Sequence, residues 1–107
     1  MSLFSTLFGP DINELVAQAR QAPHGVLVDV RTAEEYREGH IESARNIPLA
    51  SLGTAIRRQV RDTATPLFVY CLSGARSAQA VRELRRLGYE QVTDLGGVNR
   101  WSGPLAR

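Results

Sequence analysis

One thiol is the only side chain here that can ionise to a soft nucleophile. Cys71 is the single cysteine among 107 residues, and it stands in "LFVYCLSGARS", residues 67–77, between an apolar run and the start of a helical pattern. A free thiol is only about 3% ionised at neutral pH, so a turn that uses it must stabilise the thiolate. Gly74, three residues on, permits a left-handed or crowded backbone. Successive N–H groups of such a turn face inward as an anion-binding nest, with a helix N-terminus behind it. The helix dipole contributes roughly 0.3–1 kcal/mol, whereas each N–H bonded to a charged acceptor contributes about 1.5–3 kcal/mol. The curled backbone therefore outweighs the dipole. Cys71 is the candidate catalytic residue, and the amides of Leu72, Ser73, Gly74, Ala75, Arg76 and Ser77 are the candidate anion-binding loop. The competing role for such a cysteine is that of a small buried hydrophobe. The chemistry needs two things: a thiol that a donor can reach, and peptide N–H groups turned towards it.

The remaining residue types exclude more than they offer. All 13 basic residues are arginine, so no lysine amine is present for Schiff-base chemistry. One cysteine cannot close an internal disulfide, and with only His24 and His40 beside it no structural metal is expected. No cofactor is expected either. A net charge of +2 argues for neither nucleic acid nor an anionic membrane as partner. The apolar start "MSLFSTLFG" lacks the basic residues and length of a signal peptide, and no segment reaches the roughly 18 apolar residues of a spanning helix. The expectation is a soluble, monomeric cytoplasmic protein, whose thiol stays reduced.

These residues need elements to position them. Residues 1–10 read as an N-terminal segment and 11–107 as one domain. Asp11 with Glu14 is an N-cap pair opening a helix that carries Ile12, Leu15, Val16 and Ala19 on one face and ends at Pro23 and Gly25. "VLVDV" (26–30) is a strand covered on both faces. Thr32 and Glu35 form a capping box for a short helix closed by Gly39. A weaker strand spans 44–47 and helical spacing runs over 49–60. "PLFVY" (66–70) is a strand, 77–87 a helix capped by Ser77 with Gly88 at C′, and 91–95 a last strand ahead of Gly96, Gly97 and Trp101. Alternating strands and helices predict an α/β fold, a central, mostly parallel sheet of four or five strands with helices on both faces. Ligands of such sheets collect outside the C-terminal strand ends, where Asp29, Arg31, Cys71 and Gly96–Gly97 all fall.

Three stretches in order, "VLVDVRTAEEYREGHIESARNIPL" (26–49), "VYCLSGARS" (69–77) and "DLGGVNRW" (94–101), resemble a single-domain rhodanese, a sulfurtransferase of the rhodanese homology family, over residues 11–104. The resemblance implies the rhodanese-like fold with the 26–30 and 67–70 strands adjacent. It also implies that Cys71 takes a sulfane sulfur from a donor such as thiosulfate, holds it as a persulfide on the 72–77 amides, and passes it to a thiophilic acceptor. Donor and acceptor would be a small sulfur-bearing anion, a protein persulfide or a protein acceptor. Asp29 and Arg31 are supporting residues that tie a strand end to its loops. Arg76 either steadies an anionic donor or braces the loop by a salt bridge. His40 reads as a helix-end residue and Trp101 as core or pocket wall. His24 carries no signal, and the Arg57, Arg58, Arg61 and Arg85–Arg86 groups read as solvated faces. Leu72 and Ala75 depart from the polar residues usual in the family, which favours a larger or less charged persulfide donor over thiosulfate. Glu42–Ser43 stands where Pro–Gly is common. A sulfur-relay or binding module with little turnover is the alternative function. An arginine-loop phosphatase or arsenate reductase is a minor one, since four residues between Cys71 and Arg76 make too narrow a cradle for a tetrahedral oxyanion.

Overall fold

The computed structural model describes residues 9–107; whether "LFSTLF" adds an edge strand, which the sequence leaves undecided, lies outside the described residues. Helix α1 (Ile12–Gln21) opens where the Asp11 carboxylate accepts from the Glu14 N–H at 3.1 Å. Strand β1 (Val26–Asp29) follows, then α2 (Ala33–Glu38), β2 (Arg45–Asn46), a 3-10 turn (Leu49–Ser51) running into α3 (Leu52–Gln59), and β3 (Leu67–Cys71). Helix α4 (Ala75–Arg86), β4 (Val92–Gly97) and a final 3-10 turn (Val98–Arg100) complete the regular elements of the described residues. Each β-to-β passage is a crossover, and the four strands pair in parallel in the order β2-β1-β3-β4. From β1 the sheet grows one way to β2 and the other way to β3. The carboxyl ends of β1 and β3 therefore flank the switch in strand order, the crevice where such sheets bind ligands.

The period-two alternation of the strands divides the core. Val28, Val69 and Cys71 face α3 and α4, packing with Ile56, Ala80 and Leu84. Leu27 and Tyr70 face the opposite side, with Ile12 and Val16 of α1, Ile41 and Leu95. Helices thus cover both faces, as the alternation of elements requires.

The structure corrects several boundaries. Helix α4 begins at Ala75, two residues before the expected start, and its N-cap is Gly74 in a left-handed conformation (φ 111°) with no side-chain cap. Ser77 is therefore inside the first turn, where its hydroxyl donates back to the Gly74 carbonyl at 3.1 Å. The 44–47 strand shrinks to Arg45–Asn46, and β3 extends one residue to include Cys71 itself. At the far end of α4 the expected glycine stop is present. Gly88 (φ 102°) donates to the Arg85 carbonyl and Tyr89 to the Leu84 carbonyl, the double bond of a Schellman cap.

Candidate active site: the cysteine loop

Strand β3 delivers Cys71 to the crevice, and three residues of turn connect it to α4. The Gly74 N–H donates to the Cys71 Sγ at 3.0 Å and the Ser77 N–H at 3.3 Å. Left-handed Gly74 (φ 111°) turns the chain that follows it into α4, whose first turn carries the Ser77 N–H to the same sulfur. Ala75 and Arg76, the first two residues of α4, contribute helix N-terminal N–H groups that lack an intrahelical acceptor. The loop is fastened from behind by the Asn99 N–H, which donates to the Leu72 carbonyl. Gly97 passes close beneath it: a Cβ there would lie 2.5 Å from the Leu72 carbonyl oxygen and 2.8 Å from the Ser73 Cα.

Of the two conditions that sulfur chemistry sets, this conformation meets one. Peptide donors do turn towards the sulfur. The thiol, however, has no solvent-exposed surface (0% of the residue) and packs in the apolar cluster with Val30, Val69 and Ala80. The reachable thiol that this chemistry needs is not met in this conformation, where Sγ is covered. Leu72, by contrast, is 45% exposed on the outer side of the loop.

Arg76 does not point an empty guanidinium into the crevice. Its Nη1 and Nη2 bind Glu35 Oε1 and Oε2 at 2.6 and 2.9 Å, a bidentate pair about one-third exposed. Glu35 also accepts from the Thr32 N–H and hydroxyl at 3.0 and 3.1 Å, completing the capping box of α2. The Arg76 hydrogen bond, with the Thr32 bonds added, lowers the Glu35 pKa to about 2. The carboxylate is thus charged throughout the neutral range, and the Arg76 pKa rises reciprocally. Glu35 had a complete local explanation in its capping box, and no sequence signal links it to an arginine 41 residues away. This pairing leaves the phosphatase reading without a free guanidinium for an oxyanion.

Asp29 and Arg31 sit at the end of β1 as a buried pair. The Arg31 guanidinium bonds both Asp29 oxygens (2.7–3.1 Å), and its Nη2 also donates to the Gly39 carbonyl at 2.7 Å. Asn46 on β2 joins them, donating to the Asp29 and Arg31 carbonyls. The pair thus ties strand β1 to the end of α2, and its hydrogen bonds go there rather than to the Cys71 loop. His40 Nδ1 lies 2.9 Å from the Tyr36 carbonyl oxygen and its ring stacks on Tyr36, the helix-end position expected. Trp101 packs partly buried against the α1 side of the core, its Nε1 donating to the Pro104 carbonyl.

Among the described residues no group of three or more His, Cys, Asp or Glu side chains is placed to hold a metal ion. No helix among them is long and apolar enough to cross a membrane.

A family model described as a rhodanese-like domain matches residues 12–104. "Thiosulfate sulfurtransferase PspE" of Escherichia coli is 38% identical over 80 residues, covering 75% of this chain and 77% of that protein. "Uncharacterized protein YqhL" of Bacillus subtilis is 39% identical over 80 residues, covering 74% of this chain and 62% of that one. A solved structure described as rhodanese with anions from E. coli superposes with a TM-score of 0.72 at 34% identity, covering 77% of this chain and 96% of its own.

Proposed function

The chain belongs to the rhodanese-like domain family, and on that premise we propose that it is a sulfurtransferase working through a persulfide on Cys71. The observation that carries this reading is the pair of peptide N–H groups, Gly74 and Ser77, directed at Sγ. Two donors aimed at one sulfur suit an anionic acceptor, because an N–H bond to a charged acceptor is stronger than one to a neutral acceptor. In the first half-reaction the Cys71 thiolate attacks the outer sulfur of a sulfane donor. A new S–S bond forms and the donor's own bond to that sulfur breaks, its electron pair leaving with the remainder (sulfite, where thiosulfate is the donor). In the second half-reaction a nucleophilic acceptor attacks the outer sulfur and the Cys71 thiolate departs. Charge balances at each step without a proton relay. The outer sulfur is anionic in between, and the open N–H groups of Ala75 and Arg76 are its candidate donors.

The relay reading is favoured by a separate observation, the complete burial of the thiol. A module whose partner opens the loop would show little turnover alone. One experiment separates the readings: thiosulfate-to-cyanide transfer by wild type and Cys71→Ser, with intact mass recorded after thiosulfate. A gain of one sulfur atom with thiocyanate production, both lost in Cys71→Ser, is the enzyme. A mass gain without thiocyanate is the relay. Neither signal from folded protein removes both.

A further inference from the structure

The loop from Cys71 to Ser77 contains a single charged side chain, Arg76, and the structure shows where that charge goes. Its two terminal nitrogens face the two oxygens of Glu35. Glu35 in turn is held by Thr32, both backbone and hydroxyl, at the start of α2. The carboxylate is therefore fixed from its own helix and is not a swinging partner that yields easily. We propose that Glu35 is a positioning residue that sets the charge of the sulfur donor: by occupying Arg76 it withholds the loop's cation from dianionic donors and matches the site to donors of lower charge.

This inference rests on the sulfurtransferase reading and concerns which donor the same site takes. The local charges make the point. Cys71 as thiolate, Arg76 and Glu35 together carry one net negative charge. A dianion such as thiosulfate entering beside them meets repulsion that the amide nest must overcome. It gains Arg76 only by leaving the Glu35 carboxylate without its cation. A monoanionic sulfane donor meets half that repulsion. Its organic end also has room: a cavity of about 400 Å³ shares Arg76 and is otherwise lined by Val30, Thr32, Pro48, Leu49, Ala50, Gln79 and Glu83, the last a further carboxylate. On the other flank of the loop, Arg100 lines a cleft with Ser73, where Asp11 and Asp94 accompany it. That cation too lies among carboxylates.

The test compares two donors with the same reacting group and different charge, thiosulfate (two negative charges) and benzenethiosulfonate (one), with cyanide as acceptor. In each, Cys71 takes the terminal sulfur and sulfite or benzenesulfinate leaves with the bonding pair. Glu35→Gln keeps the shape of the side chain and frees the Arg76 charge. The expected result is a rise of roughly fivefold in the thiosulfate to benzenethiosulfonate ratio of kcat/KM, the size of one partly exposed ion pair, carried by KM for thiosulfate. A merely structural Glu35 would lower both rates together and leave the ratio unchanged, and that outcome overturns the proposal. Wild type gives an independent reading should the variant not fold. Between about 0.1 and 0.5 M potassium chloride, where screening acts within about 10 Å, the thiosulfate rate rises relative to benzenethiosulfonate. A relative fall shows an available cation and overturns the proposal. Sulfur loading from neither donor would take down the sulfurtransferase reading itself; loading from both with a fixed ratio takes down only the role of Glu35.

Discussion

Asp29 carries its carboxylate at a position with no exposed surface, and everything near it is arranged around that fact. Arg31, two residues along and 5% exposed, supplies the counter-charge, and its guanidinium lies 5.7 Å from the centre of the Tyr70 ring. Burial, with the Asp29 charge as a second cause, pushes the Tyr70 phenol well above its ordinary value, so it remains a neutral hydroxyl that accepts from the Ile41 N–H. Removing one member of a buried pair leaves the other charge uncompensated, at a cost of about 3–5 kcal/mol. Asp29→Asn is therefore expected to lower unfolding free energy in urea by that amount. Adding Arg31→Gln to it should cost less than the two single changes together, because the second change removes the orphaned charge. Strict additivity would mean that the pair is not coupled. Their association was legible through the resemblance of the "DVR" stretch (29–31) to the family. The Glu35–Arg76 pair has the same chemistry across 41 residues, and only the fold brings it together.

Element ends decide the geometry of the loop, and Gly97 at the end of β4 shows how. Its φ of −104° is open to any residue, so its lack of a side chain answers to space alone. An alanine Cβ would press on the Leu72 carbonyl and the Ser73 Cα, backbone atoms that cannot yield unless the whole turn moves off Sγ. Gly88 is the opposite case. Its φ of 102° strains any other residue, but nothing lies within 4 Å of its would-be Cβ and it is remote from the loop. Gly97→Ala is expected to reduce sulfur transfer by roughly 100-fold, the scale of a 1 Å displacement of reacting groups. Gly88→Ala should cost about 1–2 kcal/mol of stability through backbone strain and leave transfer intact. Equal transfer losses in both would show that general destabilisation is responsible. The caps at Asp11, Thr32–Glu35 and Gly88 were readable because each is a bond between near neighbours in sequence. The start of α4 was misplaced because Gly74 caps it by conformation alone, offering no polar side chain to read, while Ser77 looked like a cap and is a residue of the first turn.

At the scale of the molecule the question is how a sealed sulfur is reached. Two routes exist, a local shift of the turn around Leu72–Gly74 or unfolding of the domain, and they respond differently to core stability. Ile12 and Ile41 lie in the cluster on the sheet face opposite Cys71, so truncating them weakens the whole domain; Ile12 also lines the cleft that reaches Ser73, which makes Ile41 the cleaner of the two. Each change to alanine should cost about 2–5 kcal/mol, read as a lower urea midpoint. If the turn opens by itself, iodoacetamide labels Cys71 in native buffer at the wild-type rate in Ile12→Ala and Ile41→Ala. Low urea concentrations should then change the rate little, because a local shift exposes little new surface. If labelling instead requires global unfolding, a loss of 2 kcal/mol raises the rate about 30-fold, and urea accelerates it with the slope of the full transition. The sulfurtransferase reading predicts the first pattern. The second would make Cys71 a core residue whose two N–H bonds serve packing, and a donor would have no route to it in the folded protein.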